Sequence, residues 1–260
     1  MNRLNAKQAY RSNKFYKACV EVPTHVVLGG GGNSVATKHA FTLAEVLITL
    51  GIIGVVAALT LPVIVESYKK QEVVARLKKF YSTFNNALLA SIYENEAMEY
   101  WQFPAHQNNG EEMDIFVNKY LFPYFKGLKS CSSKEAYCKD ISAKLYPNQP
   151  VYIFTDGGCF SMLKGGGDTE AGMMHILYDA NCGAKPNENN RDIFSFIIIY
   201  GNGRGFIFKP GAAATYNLTD RQELLNACKN EDDNPHAVGA CSALIYFDGW
   251  EISKDYPYRI

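Results

Sequence analysis

The most pronounced pattern in the chain is one long apolar run. It opens with Phe41-Thr42-Leu43-Ala44-Glu45, and none of the 20 residues of 46–65 is charged. At about 1.5 Å per residue such a run matches the ~30 Å hydrocarbon core of a bilayer, so residues 41–65 are predicted to form a membrane-spanning helix. A buried core helix or the h-region of a secretory signal would be shorter, and no A-x-A junction follows. Past the run the pattern turns amphipathic. Val73, Leu77, Phe80, Phe84 and Leu88 recur at spacings of three and four, which predicts a helical stem over 66–100 packed on the protein's own sheet. Lys69, Lys70, Arg76, Lys78 and Lys79 fall on other faces and read as a solvated surface in preference to a lipid-binding one.

Asn108-Asn109-Gly110 interrupts the helical pattern, and 113–125 reads as a short helix ending near Pro123. Strands follow. Residues 151–155 and 159–163 flank Asp156-Gly157-Gly158, a hairpin signal; 173–178 is a third strand; 193–200 and 205–209 flank Gly201-Asn202-Gly203. That last segment joins two apolar strands and opens no helix, so it reads as a tight turn and not as a nucleotide-binding loop. Gly165-Gly166-Gly167-Asp168 reads as a flexible loop, and neither glycine cluster carries a P-loop Lys-Ser/Thr pair. Residues 101–260 are expected to form an α/β globular domain on the far side of the membrane.

Composition changes this picture little, but charge refines it. The 260 residues carry 26 basic and 26 acidic side chains, with 47% hydrophobic positions, which is globular material and excludes a disordered, collagen-like or multi-span protein. The balance hides an asymmetry: residues 1–40 hold six Lys/Arg against one acid, and 41–260 hold twenty against twenty-five. Basic residues close to the N-terminal side of the run orient that end toward the cytoplasm and place the body outside. An acidic body offers phosphate backbones no long-range attraction, so no nucleic-acid partner is expected.

Glu45 is the anomalous residue. A carboxylate in a spanning helix costs about 2.5–3.5 kcal/mol when central, so it has a partner or a function unless it snorkels to the headgroups. Its neighbours favour a function. Lys38, His39 and Ala40 precede Phe41-Thr42-Leu43-Ala44-Glu45-Val46-Leu47-Ile48-Thr49-Leu50, which resembles the class III leader of type IV pilins and type II secretion pseudopilins. The resemblance implies that a prepilin peptidase cuts between Ala40 and Phe41 and methylates the new amine. It also implies that Glu45 is the assembly carboxylate, countering the N-terminal charge of a neighbouring subunit. Pro62 sits where pilin helices commonly carry a proline, and it removes a backbone donor and kinks or loosens the helix near the membrane exit. Gly51 and Gly54 permit close helix packing. Ala40 departs from the family's usual glycine, which predicts slower processing.

Six cysteines follow the cut: Cys131, Cys138, Cys159, Cys182, Cys228 and Cys241. They allow fifteen pairings, of which local pairing (131 with 138, 159 with 182, 228 with 241) is the economical expectation. Zinc is disfavoured because there is no C-x2-C, H-x3-5-H or HExxH, and disulfides suit an oxidising compartment. The stretch Asp179-Ala180-Asn181-Cys182-Gly183 to Arg191-Asp192-Ile193-Phe194 is similar to one in pseudopilin-like proteins of gut bacteria. Asp179, Asn181 and Asp192 could present oxygens to Ca2+; the alternative is a polar loop held by Asx turns. No other cofactor is expected. Enzymatic signatures are lacking: there is no G-x-S-x-G elbow, and His25, His39, His106, His175 and His236 stand singly, leaving only a triad assembled from distant residues.

The resemblance therefore implies an α+β pilin-like lollipop, a long N-terminal helix packed on a C-terminal antiparallel sheet with disulfide-bonded loops. The chain would be a minor pilin or pseudopilin anchored in the cytoplasmic membrane and then built into a filament. Its partners would be other pilin subunits, the prepilin peptidase, the inner-membrane assembly platform and the lipid bilayer. A membrane-tethered surface binding protein or adhesin is the alternative. Residues 1–40 form the leader on this reading. Gly29-Gly30-Gly31-Gly32 suggests a purine-rich ribosome-binding sequence read in frame, with translation starting at Val35 and Cys19 left outside the protein; the competing reading is a long leader with a flexible glycine linker.

Overall fold

The computed structural model describes residues 41–166, 172–201, 205–215, 217–230 and 239–260. The expected leader, with Ala40 and the start at Val35, lies outside them. The chain falls into two compact units, 1–50 and 51–260. Of the first, the structure describes only the head of helix α1, which is Leu43–Asn95 and 53 residues long.

Within the second unit, α1 buries Leu77, Phe80, Phe84, Ala87 and Leu88, the stripe that the three-and-four spacing dictates, while Val73 is partly buried against the same core. Phe80 stacks on Tyr178 with ring centroids 4.1 Å apart and meets Phe196 edge-on at 4.8 Å, and Phe84 stacks on Phe208 at 4.8 Å. The helix stops at Asn95, short of the expected 100, because Glu96 turns left-handed with φ 66°. Asn95 Nδ2 closes the end by donating to the Ser91 carbonyl at 3.2 Å and to the Tyr124 hydroxyl at 2.8 Å. A 3-10 turn at Met98–Tyr100 follows.

Helix α2 is Gly110–Tyr120, beginning and ending earlier than the expected 113–125. Asn109 caps it, its side chain accepting from the N–H groups of Glu111 and Glu112, and Pro123 falls in a separate 3-10 turn, Phe122–Tyr124. Next come β1 (Lys129–Cys131), α3 (Ala136–Lys144), β2 (Val151–Ile153), β3 (Cys159–Lys164), β4 (Met173–Asp179), β5 (Ile193–Tyr200) and β6 (Phe206–Pro210), then α4 (Arg221–Lys229) and α5 (Ala240–Phe247). The six strands form one sheet in sequence order, antiparallel throughout. The expected strands are all present, and Asn202 and Gly203 of the expected β5–β6 turn lie outside the described residues.

Strand periodicity sorts the sheet's two faces. Met174, Ile176 and Tyr178 of β4 and Phe194, Phe196 and Ile198 of β5 point into the main core with α1, α2, α4 and α5. The opposite face carries a smaller core in which Ile141 and Leu145 meet Val151, Cys159 and Ile193. With both faces covered there, β5 loses the alternation of a half-exposed strand and reads as a continuous apolar run.

Candidate functional site

At the head of α1, Thr42 and Glu45 form a capping box. Glu45 Oε2 accepts the Thr42 backbone N–H at 2.8 Å and its hydroxyl at 2.9 Å, while Thr42 Oγ1 accepts the Glu45 N–H at 3.2 Å. Thr-x-x-Glu is the sequence form of this motif, and it satisfies donors that a helix start leaves unpaired. Both side chains are exposed, as is Phe41, so the carboxylate is accessible while engaged.

The next turns bury nothing. Fourteen Leu, Ile and Val side chains from Leu43 to Val65 are exposed, and the most apolar window of α1 is 0% buried. Among the described residues these turns leave a large apolar surface uncovered, and each such side chain would gain about 1.5–3 kcal/mol on burial. The helix is long and apolar enough to cross a membrane. A side chain built on Gly51 or Gly54 would meet nothing within 4 Å, so neither glycine is required by packing among the described residues. Helix α1 runs through Pro62 without a break. What the proline removes is the N–H that the Ala58 carbonyl would accept, and a continuous helix tolerates that loss.

Beyond the apolar turns, two of the basic side chains expected on a solvated face instead dock the helix. Arg76 Nη1 donates to the carbonyls of Asp156 at 3.2 Å and Ala180 at 3.0 Å, with its other nitrogens on Glu72. Lys79 lies 2.7 Å from Asp156. Burial pushes the Asp156 carboxyl up, but Lys79, the Gly158 N–H and Arg76 outweigh it and hold the group below its ordinary range. The spacing of charges along the helix could not reveal this, because the partners of Arg76 are backbone carbonyls 80 and 104 residues away and that of Lys79 is a carboxylate outside the helix.

The loop from β4 to β5 is built around two buried carboxylates. Asp179 accepts the N–H groups of Asn181 and Cys182 at 2.9 Å and Gly183 at 3.0 Å. Asp192 accepts those of Asn187 and Glu188, both at 2.7 Å, and the Asn181 side-chain amide at 3.2 Å. Burial holds the Asp179 carboxyl above its ordinary range, with Asp192 adding to the rise and the three N–H groups opposing it. These lone pairs face protons, the geometry of Asx turns. Calcium wants about six to eight oxygens, and the loop's one buried oxygen without a partner is Asn181 Oδ1. Among the described residues no group of three or more His, Cys, Asp and Glu side chains could hold a metal.

Cys131–Cys138, Cys159–Cys182 and Cys228–Cys241 are disulfide-bonded, the local pairing. Residues 63–260, roughly three quarters of the chain, match the family described as "Family of unknown function (DUF6613)". The chain belongs to that family. No curated protein and no solved structure matches it. The DUF6613 portion takes in the docking stem, the sheet, all three disulfides and the Asp179–Asp192 loop, while Glu45 and Pro62 precede it.

One polar constellation of the DUF6613 portion was not anticipated from the sequence. Arg221, at the start of α4, forks onto Asp248 at 2.7 and 2.8 Å and onto Asp255 at 2.9 Å, and reaches the Ser253 hydroxyl at 3.2 Å. It ties the C-terminal segment to α4. The sequence signals only the start of α4, in Asp220-Arg221-Gln222-Glu223, an N-cap followed three positions later by Glu, ahead of Leu224, Leu225 and Cys228.

Proposed function

We propose that this chain is a pilin-like subunit, a minor pilin or pseudopilin that enters a type IV filament or type II secretion-like assembly through α1. The observation that carries the reading is the unpartnered apolar half of α1, headed by an accessible Glu45 directly behind the Lys38-His39-Ala40-Phe41 junction. An α+β body with a long N-terminal helix, an antiparallel sheet and disulfide-closed loops is compatible with the pilin lollipop. Three disulfides suit a body exported to an oxidising compartment. In the membrane the apolar turns sit among lipid tails, and in the filament they sit among the helices of neighbouring subunits. Glu45 then meets the free amine created when the peptidase cuts before Phe41. The chain's partners on this reading are other subunits, the prepilin peptidase and the assembly platform. The deciding experiment is mass spectrometry of the protein from sheared filaments, where a 220-residue chain beginning with methylated Phe41 is expected. An intact Ala40–Phe41 bond in that material overturns the reading.

The Thr42–Glu45 box favours one other reading, a membrane-tethered surface protein. A carboxylate already engaged by its own helix start needs no amine from a neighbour. Such a tether would stay in the membrane fraction and be missing from sheared filaments.

A further inference from the structure

Where α1 leaves its apolar stretch, a cleft of about 520 Å³ opens between the helix, the β4–β5 loop and the C-terminal segment. Its lining is divided by chemistry. Leu61, Pro62, Val65, Pro186 and Ile260 are apolar, and Lys69, Arg191 and Arg259 are cationic, with Glu66 the acidic side chain among them. Glu66 is neutralised by Lys70 at 3.1 Å, and Arg191 shares its charge with Glu188 at 2.6 Å. Lys69 and Arg259 are exposed and have no ion-pair partner among the described residues.

We propose that this cleft binds the headgroup of an anionic phospholipid, with the lipid's glycerol and upper acyl chain against Leu61, Pro62 and Val65. This rests on the reading of 41–65 as a membrane span. Val65 is the last residue of the uncharged run and Lys69 is four residues on, a rise of about 6 Å along the helix. The headgroup layer outside the hydrocarbon is about 5–7 Å thick per leaflet. The apolar part of the cleft therefore lies at the depth of the upper acyl chains and the cationic part at the depth of the phosphates. A planar guanidinium can hold two phosphate oxygens at once, and a lysine adds a point charge. A water-soluble phosphate would use only the cationic rim and leave the apolar wall uncovered, which favours the lipid.

The test uses the full chain reconstituted in vesicles of POPC with and without POPG, extracted in mild detergent, with retained lipid counted by native mass spectrometry. The wild type is expected to retain POPG over POPC. Lys69→Gln with Arg259→Gln should weaken that retention roughly thirtyfold, about fivefold for each cation at a membrane surface. Both residues are exposed, so the variant tests binding and not folding. Equal POPG retention by wild type and variant overturns the proposal. Release of POPG by excess inorganic phosphate would show that a free anion suffices, and overturns the assignment to lipid. A dimer that the variant abolishes, with no lipid dependence, would give the cleft to a second copy and overturns it too. Recovery of the wild type in the soluble fraction after alkaline extraction of the vesicles would instead refute the membrane span itself.

Discussion

Glu45 folds back on Thr42, with its Oε2 on the Thr42 N–H at 2.8 Å and on the hydroxyl at 2.9 Å. The structure thus shows one use of this carboxylate, an acceptor that closes a helix start, and the proposed function gives it a second, a negative charge offered to a neighbouring subunit.

Glutamine keeps an acceptor at this position and removes the charge, whereas alanine removes both. Glu45→Ala is expected to insert in the membrane as readily as the wild type while losing cap strength of about 0.5–2 kcal/mol. If the charge drives assembly, Glu45→Gln is missing from sheared filaments just as Glu45→Ala is. Wild-type filament levels for the Gln variant would reduce Glu45 to a cap and favour the tether.

Arg76 joins α1 to two loops of the sheet through the carbonyls of Asp156 and Ala180. Arg76→Ala leaves both carbonyls without this donor and should cost about 1–3 kcal/mol in chemical denaturation of the detergent-solubilised chain. Arg76→Lys should recover only part of that, because an ammonium cannot fork across the two loops and Glu72 together. Full recovery by Lys would show that charge alone matters there.

How much of this was legible follows from where each signal lies. The stem was readable at Leu77, Phe80, Phe84 and Leu88 because a single-sided burial imposes a 3.6-residue period. The strands were readable because turn residues bound each apolar run, and the disulfides because local pairing needs no long-range geometry. The long apolar helix was readable in one uninterrupted uncharged stretch. What was missed depends on tertiary partners: Arg76 and Lys79 bind groups remote in sequence, and β1 is only three residues long, too short for a period. α4 and α5 bury Leu224, Leu225, Leu244 and Ile245 in segments of nine and eight residues, marginal lengths for recognising a helix by pattern. For Asp179 and Asp192 the sequence left two readings open, cation ligands or Asx turns, and the structure aims backbone N–H groups at them.

All six cysteines of the described residues are paired, so none of these six should be alkylated after denaturation without reductant. The bridges should differ in worth. Loop-closure entropy gives about 2.5 kcal/mol for the seven-residue separation of Cys131–Cys138, about 3 for the 13 of Cys228–Cys241 and about 3.5 for the 23 of Cys159–Cys182. Cys159 and Cys182 also pin the Asp179 loop against β3. Paired Cys→Ala variants, compared by denaturation midpoint, should rank in that order; a Cys131–Cys138 deletion that costs most would refute it.

Acid stability should carry the signature of Glu112. Its carboxylate accepts the His106 backbone N–H at 2.9 Å, the His106 ring at 2.8 Å and the Asn109 amide at 2.8 Å. The His106 N–H foremost, then its ring, lower the group from its ordinary 4.5 to about 2. A carboxyl depressed in the folded state binds its proton less readily than in the unfolded chain. Its stabilisation is therefore complete above pH 4.5 and lost as pH falls toward about 2. Asp255, held below its ordinary range first by Arg221 and then by Ser253, acts in the same direction. Asp179 acts in the opposite one, since burial raises its folded value and protonation relieves that cost. Glu112→Gln should thus lower the denaturation midpoint at neutral pH, and the gap to wild type should close between pH 4.5 and about 2. A gap that stays constant across that window would mean that the hydrogen bonds of Glu112 do not depend on its charge.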